Sequence, residues 1–250
     1  MHFNKVKYGA FALTVLSTFN STVSIAGTMG TVATDSRKGH FIAQIGGYGA
    51  DQGATQTIRL PQNVFSSRYT VDSSNQGSGL VGVGYFFNGP LLLERAQFTY
   101  GANAFFLGQT SVNGHIVENN LRNFAYRYNI QHLPLYFAAK ALINTNYDKF
   151  KLALDAGIGP DFMSLSGYRE VALNSSIDRR PFSDTNQAIF SATAGASIRF
   201  SPSPESLPIE CGYRFFYFEQ GTFDIRNHQA NNELQTGNGY ANAVVCGVSI

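Results

Sequence analysis

Residues 150–159 read Phe-Lys-Leu-Ala-Leu-Asp-Ala-Gly-Ile-Gly, and the parity of this stretch decides the fold. Successive side chains of an extended strand point to opposite faces. One face then carries Phe150, Leu152, Leu154, Ala156 and Ile158, and the other Lys151, Ala153, Asp155, Gly157 and Gly159. The same division recurs along the chain. Phe190, Ala192, Ala194, Ala196, Ile198 and Phe200 alternate with Ser191, Thr193, Gly195, Ser197 and Arg199. Ala96, Phe98, Tyr100, Ala102 and Ala104 alternate with Arg95, Gln97, Thr99, Gly101 and Asn103. Ile209, Cys211, Tyr213, Phe215 and Tyr217 alternate with Glu210, Gly212, Arg214 and Phe216, and Leu133, Leu135, Phe137, Ala139 and Ala141 oppose His132, Tyr136 and Lys140.

Two architectures produce this pattern. A soluble β protein turns the apolar face inward; a membrane barrel turns it out to lipid and encloses the polar one. Composition favours the second. Charged residues make up 14% of the 250-residue chain, against about 25% in an average globular protein. Glycine (25), Phe (21) and Tyr (13) are abundant, which suits strands and turns. No apolar run reaches the roughly 18 residues of a membrane helix, so a closed barrel is the remaining way to pair backbone groups in lipid. The net charge of +2 offers no electrostatic footprint for nucleic acid.

The amino terminus has the order of a secretory signal peptide. Lys5 and Lys7 precede an apolar stretch from Tyr8 to Leu16, and Ser24-Ile25-Ala26 is a small-x-small site, so cleavage is expected after Ala26. The absence of a following Cys argues against a lipoprotein. The expected organisation is a signal peptide over 1–26, a short periplasmic segment over 27–39 and a barrel over 40–250.

Eight patterned segments are expected near 40–50, 78–88, 94–107, 131–143, 149–163, 188–200, 208–219 and 239–250. Their connectors alternate in length. Those after residues 50, 107, 163 and 219 are long, while Asn88-Gly89-Pro90, residues 144–148 and Ser201-Pro202-Ser203-Pro204 mark short ones. Pro134, Pro160 and Pro208 are expected near strand ends, where a lost donor matters less. Long extracellular loops and short periplasmic turns on an even number of strands describe an outer-membrane barrel. The fold class is therefore all-β, an eight-stranded antiparallel transmembrane β-barrel. A charge on the lipid face costs about 2–4 kcal/mol at the midplane for Arg or Lys, and the strand charges avoid that face except Glu94, which is placed at a turn. Phe87, Phe106, Phe150, Phe200 and Tyr217 lie towards strand ends, as interfacial girdles would.

The expected lumen lining is Arg95, Lys140, Lys151, Asp155, Arg199, Glu210 and Arg214. These residues make either a polar conduit or a packed, ion-paired plug. An eight-stranded interior is only just wide enough to be filled by side chains, which favours the plug. Inward glycines at 82, 84, 157, 195 and 247 leave room for Arg, Tyr136 and Phe216.

With this pattern the mature chain resembles the small OmpA/OmpX-like outer-membrane β-barrels. Gly27-Thr28-Met29-Gly30 also looks like the start of Legionella-type outer-membrane proteins. The last strand is similar to the carboxy-terminal signal read by the barrel-assembly machinery, with Tyr240, Val244, Cys246, Val248 and Ile250 on one face. Such families usually end in Phe or Trp, and Ile250 departs from that. No periplasmic peptidoglycan-binding domain is expected after this strand. The resemblance implies integral insertion in the cell outer membrane, with the barrel-assembly machinery, outer-membrane lipid and lipopolysaccharide as partners and host surface molecules as further ones.

Chemistry-bearing residues are sparse. Cys211 and Cys246 fall on the outward phase of adjacent strands near the periplasmic end, so a disulfide and two lipid-facing thiols are both open. His115, His132 and His228 lack metal-site spacing, and no metal or cofactor is expected. Lipid A deacylases on eight-stranded barrels carry a His-x-Ser pair near the carboxy end, whereas His228 is followed by Gln229 and Ala230. A lipocalin is disfavoured, since its Gly-x-Trp start needs a Trp and the chain has none. Loop arginines Arg122, Arg127, Arg179 and Arg180 suit phosphate geometry, although a solvated, variable loop is the reading favoured for them. The resulting expectation is a non-enzymatic barrel with envelope-structural and surface-interaction roles. A narrow porin-like channel for small polar solutes and a lipid A-modifying enzyme are the alternatives.

Overall fold

The computed structural model describes residues 39–59, 66–73, 76–93, 96–147, 149–173, 180–203 and 206–250, with the backbone alone at 73 and 90–93. The expected signal peptide, nearly all of the segment 27–39, Glu94, Arg95 and Arg179 lie outside the described residues.

Among the described residues twelve strands follow in chain order: β1 (Gly39–Asp51), β2 (Gln56–Arg59), β3 (Ser66–Ser73), β4 (Gln76–Leu93), β5 (Ala96–Glu118), β6 (Leu121–Asn144), β7 (Phe150–Ala172), β8 (Phe182–Ser183), β9 (Thr185–Phe200), β10 (Ile209–Phe218), β11 (Asp224–Ile225) and β12 (Gly239–Ser249). Eight of them form a closed antiparallel ring, β1-β4-β5-β6-β7-β9-β10-β12 and back to β1. Closure leaves this ring no free edge, as a spanning sheet in lipid requires. The paired positions run from His40 through Phe86, Gly101, Ala138, Gly157, Thr193, Phe216 and Ala241. They return to β1 at Ala50, ten residues on from His40. That stagger tilts the strands by about 40° and leaves an interior that side chains fill.

The start of β1, the end of β12 and the passages from β4 to β5, β6 to β7 and β9 to β10 are at one end of the ring, which is thus the periplasmic end. The other end carries the β2–β3 hairpin, which pairs onto β5, and the β8–β11 pair. Cys211 and Cys246, directly opposite each other on β10 and β12, are joined by a disulfide with Cα atoms 4.1 Å apart.

The outer surface is apolar over a defined height. On β7 it runs through Phe150, Leu152, Leu154, Ile158 and Phe162, all exposed, before changing to Ser164 and Ser166. At about 3.3 Å per residue and about 40° of tilt, this run rises roughly 30 Å, close to the thickness of a bilayer's hydrocarbon. Phe137 is 74% exposed and Ile45 and Val244 66% each. In water such a surface is an association liability; in lipid it is the matching solvent. Phe150 and Phe200 meet with ring centroids 5.0 Å apart at the periplasmic rim.

Asn88-Gly89-Pro90, expected to mark a short turn, lies within β4, which continues to Leu93 over register shifts at Asn88/Leu91 and Leu91/Leu93. Three further features depart from the sequence-based boundaries. First, most of 108–130 and of 164–187 is strand, because β5, β6 and β7 continue well beyond the apolar belt. Two bulges hid this. Leu107 pairs with His132 but Thr110 with Ile130, so Gly108 and Gln109 together face Gln131. An extra residue of this kind inverts the parity of everything beyond it. The inward set of β5 therefore switches from Thr99, Asn103, Phe105 and Leu107 to Thr110, Val112 and Ile116. Gly167, at φ +66°, does the same for β7: Asp161, Met163 and Leu165 are inward before it, Tyr168 and Glu170 after it. Second, the β5–β6 connection is only Asn119-Asn120, at φ 50° and 63°. This is a two-residue turn of the kind that favours Asn. Third, Pro134 and Pro160 lie within β6 and β7 and not at their ends. The β6–β7 pairing is interrupted between Pro134 and Phe137, and that gap absorbs the missing donor.

Candidate functional site

The lumen of the membrane-spanning part is built from ion pairs set between aromatic rings. Lys140 and Glu210 face inward from β6 and β10, and Lys140 Nζ donates to Glu210 Oε1 at 2.7 Å. Ser197 Oγ donates to the same oxygen at 2.8 Å. Above this pair, Arg214 Nη2 reaches both oxygens of Asp155 at 2.5 and 2.6 Å. Opposite Asp155 stands Gly195, where a Cβ would meet the carboxylate oxygens at 2.8 Å. The small residue there is what admits the pair. Lys140 Nζ lies 5.4 Å from the centre of the Phe86 ring, and the Arg214 guanidinium 5.1 Å from that of Phe105, both within cation–π range.

Higher in the lumen, His132 Nδ1 lies 2.5 Å from Asp161 Oδ2. Its Nε2 lies 3.0 Å from Gln52 Nε2, while Gln52 Oε1 accepts from Thr110. An amide nitrogen only donates, so His132 Nε2 accepts and Nδ1 carries the proton given to Asp161. The ring stacks on Phe218 at 3.9 Å. These three pairs occupy successive heights. Phe105, Tyr136, Phe216 and Phe218 fill the space between them, all at most 1% exposed. Two lumen cavities lined by described residues measure about 10 Å³ each, hardly enough for one water.

Beyond the apolar belt the enclosed side chains change character. Ile58, Tyr69, Val112, Ile116, Phe124, Tyr126, Tyr128, Leu165, Tyr168 and Phe223 form one buried cluster. Tyr128 meets Phe223 edge-on at 5.0 Å, and Tyr168 meets Phe182 at 5.2 Å. Glu170 sits among them and accepts hydrogen bonds from the hydroxyls of Tyr69, at 2.8 Å, and Tyr168. Burial pushes the Tyr126, Tyr128 and Tyr168 hydroxyls well above the ordinary tyrosine range; the Asp72 charge adds to this at Tyr126, and Tyr69 and Glu170 at Tyr168.

Of the lumen residues expected from sequence, Lys140, Asp155, Glu210 and Arg214 come together in two pairs. Lys151 and Arg199 face each other on β7 and β9 towards the periplasmic mouth, with Glu210 opposite Arg199. The sequence reading did not single out Asp161 or Glu170 as partners. Their signal was the inward parity of β7, obscured at Glu170 by the Gly167 bulge. Arg122 and Arg127 are not loop residues: both lie on the outer face of the β6 extension, because β6 starts at Leu121. Among the described ones, only Arg180, exposed between β7 and β8, matches a loop position. His115 pairs with Asp72 of β3, and among the described residues no group of His, Cys, Asp and Glu could hold a metal ion.

No family model and no curated protein matches the chain. Among solved structures it is similar to the outer membrane protein OprG from Pseudomonas aeruginosa, at 12% identity over 86% of this chain and 97% of that one, with a TM-score of 0.43. It is likewise similar to the outer membrane enzyme PagL, at 11% identity over 83% and 99% with a TM-score of 0.39. A third is Neisserial surface protein A, at 10% identity over 83% and 96% with a TM-score of 0.36. On its own closed ring, outward apolar belt and one-sided long connections, the chain is an integral outer-membrane β-barrel.

Proposed function

We propose that this protein is a non-enzymatic, non-conducting outer-membrane barrel that supports the envelope and displays a rigid extracellular extension for surface interactions. The carrying observation is the occupied lumen, in which ion pairs and aromatic rings alternate from the Lys140–Glu210 level to the aromatic cluster. A conduit needs a continuous wet path, and cavities of about 10 Å³ favour a plug. For catalysis, the most organised polar group is the His132–Asp161 pair. Both side chains are at most 2% exposed, and His132 is satisfied on both nitrogens, which suits a structural role.

Planar-bilayer recording on the refolded protein tests the plug. The expected trace has no steady unitary steps. Steps that vanish when Lys140 or Arg214 is replaced would establish the channel alternative instead. Mass spectra of lipid A from cells with and without the protein should be identical; a lost or gained acyl chain would establish the enzyme alternative.

A further inference from the structure

An open cleft of about 400 Å³ lies on the outer wall of the extracellular extension, lined by Arg127, Asn129, Gly167, Tyr168, Arg169 and Arg180. Three arginines line it from three segments: β6, β7 and the β7–β8 connection. Arg127 and Arg169 are direct cross-strand partners, a placement of like charges that disfavours the sheet. The like-charge pair Lys151 and Arg199, which faces the lumen, has Glu210 beside it. At the cleft, no acidic side chain among the described residues forms an ion pair with Arg127, Arg169 or Arg180. Glu170 is the nearest in sequence, but it faces the interior and accepts from Tyr69 and Tyr168.

The cleft is also pre-shaped. Arg127 Nη2 donates to Ser111 Oγ at 3.0 Å, and Ser111 Oγ donates to Asn129 Oδ1 at 2.8 Å. This relay directs one guanidinium and leaves its remaining donors free. Gly167 keeps the floor open, since a Cβ there would meet the Asn129 amide at 2.9 Å on a backbone of φ +66°. Arginine forks match tetrahedral oxyanions.

Height narrows the ligand. Arg127 is six residues beyond Leu133, where the continuous apolar belt of β6 ends, or about 15 Å above the belt at about 3.3 Å per residue and about 40° of tilt. A phospholipid headgroup layer adds only about 5–8 Å beyond the hydrocarbon. The geometry points to a phosphorylated saccharide, carried by the glycolipid of the outer leaflet, bound between Arg127, Arg169 and Arg180. This deepens the surface-interaction reading above and does not depend on the plug.

The test uses the full-length folded barrel in detergent micelles and fluorescently labelled lipopolysaccharide with a phosphorylated core. Folding of every variant is checked by the heat-dependent shift in gel mobility. The wild type is expected to bind the phosphorylated form at least tenfold tighter than the same lipid dephosphorylated with hydrofluoric acid. Binding should weaken with added salt. R127Q combined with R169Q should lose at least tenfold and R180Q several-fold, while R122Q, exposed but outside the cleft, should bind as wild type. If the double variant does not fold, R180Q and the dephosphorylated lipid still decide the outcome. Lipid-free phosphorylated core oligosaccharide should compete. Competition by the oligosaccharide without binding of the intact lipid would overturn the membrane source and leave a soluble saccharide phosphate. Equal binding by the dephosphorylated lipid, or by R127Q/R169Q and R180Q, would overturn the site. Failure here with a silent bilayer trace would leave the plug standing, and conductance with intact binding would do the reverse.

Discussion

The lower and upper halves of this barrel share strands but solve opposite packing problems. Within the belt, the outside must be apolar, and the enclosed face therefore holds the polar groups, neutralised in pairs such as Lys140–Glu210 and Arg214–Asp155. Beyond the belt, the outside meets water, and the enclosed face becomes an ordinary aromatic core around Tyr128, Tyr168 and Phe223. The inversion takes place within a single strand: β6 carries Lys140 inward at one height and Phe124, Tyr126 and Tyr128 inward at another. The solvent outside thus sets the chemistry inside, and the same ring is a membrane protein below and a soluble-style barrel above.

The largest test of that contrast is Arg214→Met. It leaves Asp155 buried without its partner, and breaking such a pair costs about 3–5 kcal/mol. The whole barrel should lose that stability, read as a lower urea midpoint for the gel-mobility shift in lipid vesicles. If Arg214→Met matches wild type, the lower half is not held by paired charge. Phe223→Ala addresses the upper half. Removing a buried Phe costs about 3 kcal/mol, and here the loss should stay local. Protease should cut the extracellular extension faster, while the urea midpoint of the membrane-embedded ring is unchanged; a global loss would mean that the two halves unfold as one. A smaller effect is expected from Gly167→Ala. A left-handed backbone disfavours a side chain by about 1–2 kcal/mol, so the extension should become modestly more protease-sensitive, and no change would remove the bulge from the account.

The smallest effect is on alkaline stability. The raised ionisation of Tyr126, Tyr128 and Tyr168 means that the unfolded extension loses its phenolic protons first, near pH 10. Stability of the upper half is then fully present below about pH 10 and declines as pH rises towards the folded values. Ultraviolet titration of phenolate, paired with proteolysis, should show both changes starting together. A block of tyrosines ionising near pH 10 in the intact extension would contradict their burial.

The lower half was legible in the sequence because its alternation is regular except at the periplasmic end of β4. Residues 150–159 and 190–200 divide cleanly into lipid and lumen faces, and the short turns after β6 and β9 are marked by their composition. The upper half was not, since the bulges at Gly108 and Gly167 invert parity and make continuous strands read as polar loops. Asn119-Asn120 carried the missing turn signal, weak without the flanking strands. The lumen residues could be named from parity, but their pairing could not: Lys140 and Glu210 are 70 residues apart and Arg214 and Asp155 are 59. Only the ring stagger brings them together. Arg169 was missed for a related reason, since its neighbour Arg127 is set by the register beyond the Gly167 bulge.

The central claim is that the apolar face looks out at hydrocarbon while the paired charges are enclosed. Spin labels at Phe137, on the outer face, and at Thr193, on the inner face, in a barrel with Cys211 and Cys246 replaced by Ala and inserted in bilayers, test it most directly. The account predicts that the Phe137 label is relaxed strongly by dissolved oxygen and hardly by a water-soluble nickel chelate, with the Thr193 label protected from both. A Phe137 label reached by nickel and shielded from oxygen would contradict it.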